Sequence, residues 1–126
     1  MKAVYKEALR YLHNAEELLR TKVGRENGYY RDKKYVQMAG NTAWNGVLHA
    51  INSWLSAKGI QIPKRPNKEW YNSTLSKRNR KLNTVFESAY TGLHLGMDYD
   101  GQLKASIDQE SLKTAREIIA LCERDN

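Results

Sequence analysis

Three kinds of residue in this chain have types and spacings that could do chemistry. His49 and His94 are the first. Imidazole titrates near neutral pH, so either ring is a candidate general acid or base, with Tyr90 as a nearby hydroxyl. The ordinary alternative, a structural histidine with satisfied nitrogens, explains both and is favoured. Arg78 is the second. It falls at the edge of an apolar helix face, where an unpaired charge is costly, so it needs an anion. Asp98, Asp100 or Glu87 would supply one internally; a phosphate suits the flat guanidinium fork equally. The third is a polar, uncharged stripe, Asn41, Asn45, His49 and Asn52, read as a buried cluster. Buried amides need partners, either each other across a two-fold axis or Tyr90 and His94. Catalysis, if present, falls to Arg78, His49, His94 and Tyr90. Two histidines and loop aspartates lack the spacing of a metal site, and no Walker loop, Rossmann fingerprint or nucleophile elbow occurs, so no metal and no cofactor is expected.

Charge adds a fourth feature. The 126 residues hold 21 Lys and Arg against 14 Asp and Glu, a net +7. Eight of those cations (Lys58, Lys64, Arg65, Lys68, Lys77, Arg78, Arg80 and Lys81) lie between Lys58 and Lys81, with Glu69 the one acid among them. That fifth of the chain carries the whole excess. Lysine and arginine without paired acids attract phosphate, in a salt-dependent way. Trp70 and Tyr71 lie inside the segment and could stack on bases. A solvated helix face with its aromatics in the core is the plain alternative.

Helices must position all of these. Tyr5, Ala8, Leu9, Leu12, Ala15 and Leu19 make one stripe over about Lys2 to Lys22, and Gly24, Asn27 and Gly28 break it. A second helix runs from Asp32, as N-cap, to Lys58, with Gly59 behind it. Its bulky face holds Gly40, Trp44, Val47, Leu48, Ile51, Trp54 and Leu55. Its small-residue face, Ala39, Gly46, Ala50, Ser53 and Ala57, would let another helix approach closely. Tyr35 to Ala57 carries no charge, so this helix is central to the bundle or forms a dimer interface. Pro63 and Pro66 mark a linker. The third helix spans about Asn67 to Leu95, with a break near Asn72-Ser73-Thr74. Leu75, Leu82, Phe86, Ala89 and Leu93 are inside, Lys77, Arg80 and Lys81 face solvent, and Arg78 with Asn79 flanks the apolar face. Gly96 to Gly101 reads as a loop. The last helix covers Asp108 to Glu123, capped by Ser106 with Gln109 or by Asp108, and buries Ile107, Leu112, Ala115, Ile118, Ile119 and Cys122. No strand pattern shows.

At 40% hydrophobic and 28% charged, the composition is that of a globular domain able to bury one core. One cysteine, Cys122, excludes an internal disulfide framework and fits a reducing cytoplasm. The start has no apolar run, so no signal peptide is expected, and the Asn72 glycosylation sequon is discounted. Gln37, Asn41, Asn45, His49 and Asn52 interrupt the uncharged stretch too often for a membrane span.

The run Ala8-Leu9-Arg10-Tyr11-Leu12-His13-Asn14-Ala15, the Ala-rich stretch Ala39 to Leu55, and Gly59-Ile60 followed by Pro63 resemble the HEPN superfamily of small helical bundles. HEPN ribonucleases carry an arginine, a polar residue and then a histidine after four to six intervening positions. Arg78-Asn79 matches the first half; Asn83, Thr84 and Val85 stand where the histidine belongs. The resemblance therefore implies a non-catalytic member, and such members are typically dimers that bind nucleotides, nucleic acid or a partner nucleotidyltransferase. Lys81-Leu82-Asn83, then Ala89-Tyr90 with Leu93-His94-Leu95, then Tyr99-Asp100-Gly101, is more closely similar to small bacterial bundles classed as domains of unknown function.

The expectation is an all-α, up-and-down bundle of four to five helices, HEPN-like, with one domain over residues 1–126. It is cytoplasmic and homodimeric, has no membrane association, and binds RNA, nucleotide phosphate or an acidic partner without catalysis. Lys64, Arg65, Lys68, Lys77, Arg78, Arg80 and Lys81 would form the face, with Arg78 at its centre. A degenerate ribonuclease or hydrolase, or a plain homodimeric interaction protein, is the alternative.

Overall fold

The computed structural model describes residues 2–125 and is an all-α bundle with one small hairpin. Helix α1 (Ala3–Thr21) buries Tyr5, Ala8, Leu12, Ala15 and Leu19, the stripe that a 3.6-residue period dictates. A hairpin follows. Strand β1 (Arg25–Glu26) pairs antiparallel with β2 (Tyr29–Tyr30), Arg25 opposite Tyr30 and Glu26 opposite Tyr29. Asn27 and Gly28, at φ 54° and 83°, form a turn whose two positive φ angles match the twist of the strands. Strands of two residues are too short to show a period of two, which is why only their turn is visible in the sequence.

Helix α2 (Lys33–Ala57) starts where the Asp32 carboxylate accepts from the Lys34 amide at 3.0 Å, and ends before Gly59 at φ +81°. It is the central element: α1, the last helix and the segment after Ala89 all pack against it. Its bulky face is in the core, with Val47, Ile51, Trp54 and Leu55 essentially without exposure. Its small-residue face receives α1. A Cβ on Gly46 would stand 2.9 Å from the Tyr11 Cβ and 3.1 Å from the Ala8 carbonyl oxygen. That stretch of the face is covered from within the chain and is not free to be a dimer seam.

The expected third helix is three pieces. Helix α3 (Lys68–Ser76) has Asn67 as its N-cap, and α4 (Arg80–Ala89) has Asn79 as its N-cap, accepting from the Leu82 amide at 3.0 Å. The break is thus at Lys77–Asn79, not at Asn72–Thr74. Tyr71 and Leu75 share one buried face, and its burial holds the helix through Asn72. From Ala89 the chain runs straight into a π-helix, Tyr90–Tyr99, where a loop is expected over Gly96–Gly101. The π-helix buries Leu93 and Met97 against α2, and Gly40 is what admits it. A Cβ on Gly40 would lie 2.5 Å from the Met97 Cβ and 2.6 Å from the Asp98 amide nitrogen.

Helix α5 (Ala105–Arg124) begins three residues earlier than its capping residues suggest. No side chain caps it; the Ala105 amide donates to the Gly28 carbonyl at 3.0 Å, so the hairpin does the work of a cap. Leu112, Ala115, Ile118, Ile119 and Cys122 are buried as expected. Ile107 is not: it is exposed, and Asp108 takes the inward position beside it.

Candidate functional site

The linker, α3 and the first turn of α4 carry the basic segment, and the fold sorts its eight cations. Three meet acids from the otherwise neutral remainder of the chain. Lys58 pairs with Asp125 at 3.6 Å, Lys68 with Glu87 at 3.2 Å and Lys81 with Glu117 at 3.9 Å. Lys64, Arg65, Lys77, Arg78 and Arg80 are exposed and have no ion pair among the described residues. Lys64 and Arg65 precede α3 and the other three follow it. Nine helical residues separate the two groups along the axis by about 13 Å.

Arg78 is not at the edge of the core. It lies exposed in the turn between α3 and α4, and its guanidinium donates to the Thr74 carbonyl at 3.3 Å. Asp98, Asp100 and Glu87 are not its partners; Asp98 faces His94 and Glu87 holds Lys68. The turn itself moves Arg78 outward, because Asn79 is the cap of a new helix and not an interior residue of a long one.

The amide stripe is not buried. Asn41 and Asn45 are exposed, while His49 and Asn52 are half-buried. Nor is it one cluster. Asn45 donates to Asn41 at 3.3 Å, and Asn41 donates to Asp98 at 3.2 Å. His49 lies against the Tyr11 ring at 6.0 Å. Asn52 accepts from the Tyr71 hydroxyl at 2.8 Å. Tyr71 is therefore a core residue and not a stacking surface, and burial raises its phenol pKa while the Asn52 bond opposes the shift. His49 and His94 have different surroundings.

His94 is the better placed of the two. Its ring lies over Trp44, centroids 5.5 Å apart and planes 22° from parallel, with Tyr90 at 5.4 Å. Its Nδ1 is buried 3.5 Å from the Asp98 carboxylate, one residue pair at i and i+4. Nε2 makes no hydrogen bond among the described residues. His94 borders a cavity of about 230 Å³ whose other walls include Trp44, Pro66, Lys68, Phe86 and Tyr90. Trp44 and Phe86 are buried and form its floor; Tyr90, His94 and Lys68 are partly exposed at its rim. The Lys68 ammonium sits 5.0 Å over the Tyr90 ring while it pairs with Glu87. Trp44, Phe86 and Asp98 are the residues of this site that motif reasoning passes over. Asp98 alone leaves a trace, four residues after His94.

A larger cleft of about 410 Å³ lies between α1, the hairpin and α5. Arg20 at its edge already binds Glu17, and Glu16 binds Arg116 at 2.7 Å. Among the described residues no group of His, Cys, Asp and Glu could hold a metal ion, and no helix is long and apolar enough to cross a membrane.

A family model described as Domain of unknown function (DUF5618) matches residues 3–124, so the chain belongs to that family. The fold is similar to that of a protein of unknown function from Dyadobacter fermentans. The two are 39% identical, with a TM-score of 0.86, over 97% of this chain and 94% of the other. No curated protein matches the chain.

Proposed function

We propose that this member of a family of unknown function is a binding protein for a phosphate-bearing polyanion, RNA foremost. Lys64, Arg65, Lys77, Arg78 and Arg80 make the contact surface. One observation carries the reading: among the described residues five of the eight clustered cations have no ion pair, although the fold supplies acids to the other three. Exposed and unpaired cations at both ends of α3 give a strand more than one point of attachment. Lys68 and Lys81, held by carboxylates, contribute less. The HEPN-like resemblance supports binding without cleavage, since Asn83, Thr84 and Val85 offer no imidazole to work beside Arg78.

Binding of a mixed RNA oligonucleotide at two salt concentrations, wild type beside Arg78→Ala, tests this. The expected result is affinity at low salt that falls steeply as salt rises and is weaker in the variant. Undetectable binding at low salt overturns it.

A second reading is a homodimer across the exposed side of α2. Met38 and Tyr99 are large exposed apolar residues there, and the Gln37 amide donates to the Tyr99 carbonyl, which holds the two segments together. Sedimentation of the wild type beside Asn45→Leu and Tyr99→Ser tests it; a monomer at all concentrations rules it out.

A further inference from the structure

We infer that the cavity beside α3 takes one unstacked nucleobase, which makes the ligand of the basic face a single-stranded nucleic acid. The inference rests on the polyanion reading above and gives that ligand its chemistry. Three features point to a flat, neutral ring.

The first is shape. Trp44 and Phe86 pack against each other at the floor, ring centroids 5.4 Å apart, and His94 lies over Trp44, so the partly exposed rings of His94 and Tyr90 are the ones a base would stack on. Aromatic faces of this kind hold a base by stacking, whatever its sequence. At about 230 Å³ the space is below that of a drug-sized pocket and suits a single ring system. A base inside a duplex is stacked and paired, and would have to flip out to enter.

The second is charge. The cation at the mouth, Lys68, is neutralised by Glu87 at 3.2 Å and covers the Tyr90 ring. The cavity therefore offers little to a phosphate. The unpaired cations Lys64 and Arg65 lie outside it, and Arg65 directly precedes Pro66, which lines the wall. A nucleotide whose base enters the cavity leaves its phosphates toward the linker that carries those two charges.

The third is a free polar edge. Asp98 faces Nδ1 of His94, and Asn41 in turn donates to Asp98. Nδ1 is buried and makes no hydrogen bond among the described residues, so Nε2 is the ring atom left open to a partner. With the Tyr90 hydroxyl on the same cavity lining, His94 supplies the polar atoms that would tell a base from a plain hydrocarbon ring.

The experiment compares a labelled oligouridine with an abasic strand of the same length and charge, titrated into the full chain at low salt. The wild type should prefer the base-bearing strand by about tenfold or more, with a change in tryptophan fluorescence. Tyr90→Leu and His94→Ala should lose that preference and keep the affinity for the abasic strand. If the wild type binds both strands equally, the base pocket is wrong while the polyanion reading stands. If it binds neither, the polyanion reading fails and the pocket falls with it. Should a variant not fold, the two strands on the wild type decide the matter.

Discussion

Asp108 has the least comfortable side chain in the molecule. It is fully buried, and neither carboxylate oxygen has a hydrogen-bond partner among the described residues. Burial pushes its pKa from 3.8 up to about 7. The folded state thus holds a proton that the unfolded state has released, across the range between those values. This contribution to stability is complete below about pH 4 and is lost as pH rises through 7. Denaturant midpoints measured from pH 5 to 8 should show a loss of roughly 2–3 kcal/mol from this group. Asp108→Asn should flatten that slope; an unchanged slope would place its origin elsewhere. Cys122 is the opposite case, buried and inert. Burial first, and Asp125 second, push its thiol up to about 12. Alkylation at pH 8 should reach Cys122 only after unfolding by urea; rapid labelling of the native chain would contradict its burial.

Between elements, two glycines set how closely backbones approach. Gly40 lets the π-helix lie on α2, and Gly46 lets α1 do so from the other side. Gly40→Ala puts a methyl group against backbone and Met97, and should cost about 1–3 kcal/mol in a thermal or urea melt. Gly46→Leu should be worse and should unfold the monomer. A folded Gly46→Leu protein with altered association would instead make that face a seam between copies. The stripes of α1, α2 and α5 were legible because burial repeats at the helical period. The third helix was not. Asn72 and Asn79 are equally good caps by type, and only the buried run through Leu75 selects the second. The π-helix leaves no such mark, because its first part, through Leu95, reads as ordinary helix and Gly96 to Gly101 reads as a loop. Gly92 is a packing position, since a Cβ there would strike Ser111, while Gly101, at φ 66°, does stand in the loop that follows.

For the molecule as a whole, the relevant quantity is the charge that the fold leaves free. Five phosphate contacts give a log-log salt slope of roughly −3.5 on a single strand. Reversing Lys77, Arg78 and Arg80 to Glu should abolish RNA binding with little change in the melting temperature, because none of the three has an ion pair to lose among the described residues. Reversing Lys58, Lys68 and Lys81 should lower stability more than binding. The opposite pattern, read by anisotropy and a thermal melt on both variants, would mean that the paired cations form the face.

The helical class, the inward stripes and the position of the +7 follow from local pattern and from counting, and neither needs to know what the chain folds against. The candidate site does need it. Asp125 reaches Lys58, Glu117 reaches Lys81, and His94 lies on Trp44 fifty residues away. Partners that distant leave no spacing for a motif to record. Packing alone decides which cations stay unpaired, which rings open onto a cavity, and that Arg78 faces water.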